Sequence, residues 1–159
     1  MFGSYQCSEL RIEVAATQGK IQASLIQPEQ LKQWLWPQQV SLVSTGDAQL
    51  SAGQQFDSAL GLFKMHHEVE TLQESGIRFL LSGSVDGFHE WQWGEGWVQS
   101  RLEGVSLLPL HLGQTLSLIR LKRHLQNRTV ASQQRYLGLE IIFSAIRCFD
   151  CGWIETRRT

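Results

Sequence analysis

The sequence predicts an α+β domain, a curved antiparallel sheet of about seven strands wrapped around a long C-terminal helix, with two short helices after the first strand. Three observations carry this prediction. Near the N-terminus Leu10, Ile12 and Val14 alternate with Glu9, Arg11 and Glu13, the period of a strand with one buried face. The middle of the chain is a run of short alternating segments separated by turn residues, and connections that tight join antiparallel neighbours. After Pro109 the period becomes helical, with Leu112, Leu116 and Ile119 on one face as far as about Gln126.

The elements follow in order. The first strand covers Glu9 to Ala15 with its apolar face inward. Thr17 can cap a helix carrying Ile21, Leu25 and Ile26 up to Gln27. Pro28 then suits the first turn of a second short helix, Glu29 to Leu35, because its missing N–H has no partner there anyway. Pro37 closes the pair. Val40, Leu42 and Val43 form a strand, and Thr45-Gly46-Asp47 turns the chain. Ser51-Ala52-Gly53 leads into Gln54 to Leu60, and Gly61-Leu62 makes a tight connection to Phe63, Met65, His67 and Val69, which alternate with Lys64, His66, Glu68 and Glu70. After Glu74-Ser75-Gly76, the residues Ile77, Phe79, Leu81 and Val85 share a face. Asp86-Gly87 reads as a hairpin turn, and Phe88 to Trp93 leads through Gly94-Glu95-Gly96 into Trp97 to Val105.

The long helix carries two apolar stripes. Leu112, Leu116 and Ile119 are taken to face the sheet, and Leu110, Leu118, Leu121 and Leu125 form a second stripe that something must cover or that stays exposed. Tyr136, Leu139, Ile142, Phe143 and Ile146 give the tail a stripe of its own, suited to packing there or to a homodimer through the C-terminal helices. The expected division is a domain over 1–126 and a partly helical extension over 127–159.

Composition fits a single folded domain. The chain has 159 residues, of which 42% are hydrophobic and 18% charged, too apolar for disorder and long enough for a core without metal or disulfide support. Residues 1–110 hold 6 basic and 12 acidic side chains, and 111–159 hold 8 and 3. The cationic third contains no dense Lys/Arg run, so a solvated helix face is the expectation and nucleic-acid binding is not. Cys7, Cys148 and Cys151 do not form a secreted disulfide framework. The N-terminus lacks a basic and then apolar leader, and no apolar stretch reaches the length needed to span a bilayer, so a cytoplasmic location is expected.

A strand, two short helices, six meandering strands and a closing helix resembles the helix-grip fold of the START-like, or SRPBCC, superfamily, which includes polyketide cyclases, lipid-transfer domains and Bet v 1-like proteins. The resemblance rests on Pro28-Glu29-Gln30-Leu31-Lys32-Gln33-Trp34, on Gly53-Gln54-Gln55-Phe56 and on the helix from Leu112 to Leu125, and it covers Ser8 to about Gln126. Trp34 and Gly53 match positions the family often fills alike. The resemblance implies a pocket between sheet and long helix for a hydrophobic small molecule such as a lipid, sterol, pigment or polyketide, held without a cofactor. The pocket residues expected are Met65, His67, Phe79, Leu81, Trp91, Leu112 and Leu116. A carrier or sensor role leads. A cyclase- or dehydratase-type enzyme with His67 as general base is the first alternative, and a protein-interaction domain like the co-chaperone activators of the same superfamily is the second.

Several residues are weighed individually. His66 and His67 are strand neighbours, so they point to opposite faces and cannot readily ligate one metal ion together. His67 shares a face with Met65 and Val69, where it is either a satisfied core histidine or a hydrogen-bonding or acid/base group of the pocket. His89, Trp91 and Trp93 share a face with area to stack on a flat ligand, although aromatic strand positions also build cores. Trp34 and Trp36 carry the same ambiguity. Arg78 can pair with Glu68 or Glu70 across the sheet, and Arg101 with Asp86 or Glu90. Cys148-Phe149-Asp150-Cys151 has CxxC spacing without the βαβ setting of a redox motif or the further ligands of a zinc site, so incidental cysteines are expected.

Overall fold

The computed structural model describes residues 3–42 and 48–127. Along the chain run β1 (Ser4–Glu13), α1 (Gln18–Ile26), α2 (Pro28–Leu35), β2 (Gln39–Leu42), β3 (Gln55–Leu60), β4 (Phe63–Gln73), β5 (Gly76–Gly83), β6 (Val85–Gly94) and β7 (Trp97–Ser106). A third helix, α3, is helical over 110–127. The strands make one curved antiparallel sheet ordered β1-β7-β6-β5-β4-β3-β2, so β2 to β7 meander and β1 closes the far edge against β7. With α3 this is the α+β helix-grip architecture. The expected tail helix, Val43, the Thr45-Gly46-Asp47 turn, Cys148 and Cys151 lie outside the described residues.

β1 begins at Ser4, earlier than the apolar alternation predicts. Its register with β7 runs unbroken from Ser4 opposite Ser106 to Glu13 opposite Trp97, and the added inward positions are polar: Gln6 is half-buried and Ser8 is buried. A hydrophobic pattern cannot see them.

The turns follow the glycines with one exception. Gly61 and Gly96 take positive φ, 61° and 76°, as their tight hairpins require. Asp86-Gly87 is not a turn. The chain reverses at Gly83-Ser84, and Gly87 lies inside β6 directly opposite Gly104 of β7. A Cβ on Gly87 would sit 2.0 Å from the Glu103 carbonyl oxygen, and one on Gly104 would sit 2.5 Å from that of Asp86. The two glycines therefore serve close approach of the strands rather than chain reversal.

The short helices close one end. Ile21, Leu25 and Ile26 of α1 and Leu31 and Trp34 of α2 are buried. Thr17 occupies the N-cap position of α1, but its side chain makes no capping bond. Instead the Gln18 N–H donates to Glu95 Oε2 in the β6–β7 turn, 2.9 Å away, which satisfies a free helix donor and places a carboxylate at the positive helix end. Trp34 Nε1 donates to the Ser24 carbonyl at 2.8 Å and ties α2 to α1.

On α3 the two stripes exchange the roles predicted for them. Leu110, Leu118, Leu121 and Leu125 are buried, whereas Leu112, Leu116 and Ile119 are 57%, 44% and 43% exposed. Residues 110, 114, 118, 121 and 125 recur at four- and three-residue steps and form one continuous stripe. Its one polar member, Gln114, is fully buried. Each buried leucine contributes roughly 1.5–3 kcal/mol as an upper estimate. No described helix is long and apolar enough to cross a membrane.

Candidate functional site

Between the inner face of the sheet and the helices lies a cavity of about 210 Å³. Met65, His67, Phe79, Leu81, Trp91 and Leu116 all line it; Leu112 does not, because it stands on the outward side of α3. Trp34 and Leu31 of α2 and Phe56 of β3 also belong to the apolar part of the wall. Trp36 is 75% exposed and takes no part. Among the lining residues, Leu60 and Phe63 of the β3–β4 hairpin and Pro109, Gly113 and Leu116 on the helix side are exposed, so the cavity is open to solvent.

Aromatic packing shapes the floor. The His67 ring stacks on Phe56 at 4.5 Å between centroids, and Phe79 stands edge-on to both, 5.7 Å from Phe56 and 6.0 Å from His67. Trp91 meets Trp34 edge-on at 6.0 Å and lies 4.7 Å from His89. Register explains the grouping: His67 is opposite Leu81, and Phe79 is opposite His89, so the imidazoles flank β5 on one face.

Polar groups enter this wall in two short relays with the same order of residue types. In the first, Gln114 Nε2 on α3 donates to the Ser8 carbonyl at 3.2 Å and the Ser100 carbonyl at 2.8 Å, and its Oε1 accepts from Ser8 Oγ at 2.5 Å. Backbone carbonyls only accept, so the amide has one possible orientation. The same Nε2 lies 2.9 Å from Ser100 Oγ. Ser100 Oγ and His89 Nε2 are hydrogen-bonded at 2.8 Å, and the tautomer of the ring decides which of them donates. In the second, Gln38 Nε2 donates to Ser58 Oγ at 2.7 Å, and Ser58 Oγ lies 2.8 Å from His67 Nε2.

Burial holds both imidazoles neutral. It lowers His67 to about 4, with the neighbouring His66 adding to the effect, and lowers His89 to about 3, with His67 adding. Among the described residues neither Nδ1 has a hydrogen-bond partner, and neither is a fully buried atom left without one. Each therefore keeps accessible surface, and the surface both residues share is the cavity. A neutral imidazole beside a serine hydroxyl resembles a base and its nucleophile, but no carboxylate among the described residues orients either ring as a triad requires.

Sequence reasoning named His67 and the aromatic face, and it missed Gln38, Ser58, Ser100, Gln114 and Arg120. One signal was present: Ser58 and Ser100 fall on the inward phase of β3 and β7, between Phe56 and Leu60 and between Val98 and Leu102. On the outer face, His66 pairs with Asp57 at 2.8 Å, Arg78 with Glu70 at 2.8 Å, and Arg101 with Glu103 at 2.9 Å rather than with Asp86 or Glu90. Glu68 accepts from Gln55 instead of meeting Arg78.

No protein-family model and no curated protein matches the chain. Solved structures do. The protein CV1439 of Chromobacterium violaceum is 13% identical with a TM-score of 0.61, over 75% of this chain and 96% of that one. An Aha1 dimer from Colwellia psychrerythraea is 17% identical with a TM-score of 0.55, over 76% of this chain and 96% of that one. DynU16, a protein of the dynemicin biosynthetic locus, is 17% identical with a TM-score of 0.57, over 76% of this chain and 47% of that one. What this chain shares with them, at such identities, is the fold: a curved sheet gripping a C-terminal helix.

Proposed function

We propose that the protein is a cytoplasmic carrier or sensor of the START-like superfamily that binds a hydrophobic small molecule between the sheet and α3. The observation that carries this reading is the cavity itself, walled by Phe56, Phe79, Leu81 and Trp91 and supplied with two neutral imidazoles. An apolar space with a few placed polar groups is the usual form of a small-molecule site. Native mass spectrometry of protein purified without denaturant, followed by solvent extraction, tests it. The expected result is an apolar molecule bound near one to one; a protein that is empty and also fails to bind an apolar fluorescent probe rules the reading out.

A second reading, a cyclase- or dehydratase-type enzyme with His67 as base, draws on the Ser58–His67 hydrogen bond of 2.8 Å. His67→Ala separates the two: turnover is abolished in the enzyme, whereas a carrier shows only a modest change in affinity. Self-association through the C-terminal helices is proposed alongside, because Leu112, Leu116 and Ile119 leave an apolar stripe on α3 and a protein of similar fold, Aha1, is a dimer. Sedimentation at rising concentration decides it, and a sole monomer refutes it.

A further inference from the structure

The cavity wall is one-sided in its charge. Among the described residues that line it, Arg120 is the only one with a permanent charge, and no aspartate or glutamate is present. Arg120 is half-buried on α3, one turn beyond Leu116. It pairs with no carboxylate among the described residues. A half-buried guanidinium loses part of its hydration, and without an internal counter-ion it is ready for an external one. The His67 and His89 imidazoles and the Gln38 amide also line the cavity and supply hydrogen-bonding groups, but none of the described residues of the wall carries a negative charge to pair with a ligand cation.

We infer that the ligand is an apolar molecule with an anionic oxygen head, a carboxylate or a phosphate monoester, which Arg120 meets at the cavity wall while the apolar body lies against Phe56, Phe79 and Trp91. The inference rests on the binding reading above and names the ligand class within it. A planar guanidinium holds either oxyanion by two parallel hydrogen bonds. Because Arg120 is only half-buried, solvent screens the pair, which limits its effect to about tenfold in affinity.

Displacement of the neutral probe N-phenyl-1-naphthylamine by a matched set of ten-carbon ligands tests this, near neutral pH where a carboxylate is ionised. Decanoate or decyl phosphate should displace the probe about tenfold better than decanol, and decylamine worse than decanol. Whichever anion is better names the head. In Arg120→Gln the anion-to-alcohol ratio should collapse toward one, and in Arg120→Lys most of it should return. The ratio is the readout, so a general change in affinity cannot imitate the effect. Equal displacement by decanol and both anions overturns the inference, as does a preference that survives Arg120→Gln. Failure of the wild-type protein to bind the probe or any ligand overturns the cavity reading beneath it, a different result from binding without charge preference.

Discussion

The two relays use the same three residue types at similar distances, yet they are anchored very differently. Gln114 is fully buried, and its amide joins α3 to the backbones of β1 and β7, the strands at one edge of the sheet. Gln38 is half-buried in the segment between α2 and β2, and among the described residues the bond it gives Ser58 is its one side-chain contact of this kind. The first relay is a joint of the fold that happens to end at the cavity. The second belongs to the cavity wall and can be altered without loosening the frame. Identical chemistry thus has a structural meaning at one site and a local one at the other, and the difference lies in how many buried groups depend on the glutamine.

Replacement of both glutamines gives the largest effect and the most direct way to break this comparison. Gln114→Leu strips partners from the Ser8 and Ser100 carbonyls and from Ser8 Oγ, and should cost about 3 kcal/mol in urea unfolding. Gln38→Leu should cost about 1 kcal/mol or less. Equal losses would mean that both relays are structural.

Acid unfolding sharpens the same contrast. Each histidine has a folded pKa depressed from 6.5, so it contributes stability that is complete above that value and lost as protons bind preferentially to the unfolded chain. For His67 the loss runs from 6.5 down to about 4, and for His89 it continues to about 3. Each contributes a slope of up to roughly 1.4 kcal/mol per pH unit within its window. His89→Phe should flatten the profile further into acid than His67→Phe; identical profiles would place the two rings in equivalent surroundings.

The smallest effect is spectroscopic. Imidazole nitrogen shifts report which ring nitrogen of each histidine carries the proton at pH 7, and Gln38→Leu should leave the His89 signals in place while disturbing only those of His67. A shift of the His89 signals in Gln38→Leu would mean that the two relays are coupled.

The parts of this fold that obey hydrophobic periodicity were legible in the sequence. Leu10, Ile12 and Val14 marked β1, the Phe63 to Val69 alternation marked β4, and Ile21, Leu25, Leu31 and Trp34 marked the helix pair. Errors arose where an inward residue was polar or a glycine had a long-range purpose. Ser8 shortened β1 in the reading, and Gln114 interrupted the stripe that α3 buries, so the helix was turned the wrong way and Leu112 was assigned to the pocket. Gln114 behaves as a core residue only because Ser8 and Ser100 satisfy it, and neither is near it in sequence. Gly87 reads locally as half of a turn; its real constraint is the backbone of Glu103 across the sheet. The candidate site was legible on its sheet side, where His67, Phe79, Leu81 and Trp91 follow from phase alone, and illegible where it depends on helix rotation.

The cavity also bears on how long the molecule lasts. Unfilled space in a core forfeits dispersion contacts that a packed interior would have, so filling the cavity would raise the free energy of unfolding. A ligand that fills the space binds the native state alone and stabilises it by mass action. Proteolysis samples the opened fraction. Resistance to a protease would therefore rise with the supply of ligand, and the abundance of the protein would become a readout of the molecule it holds.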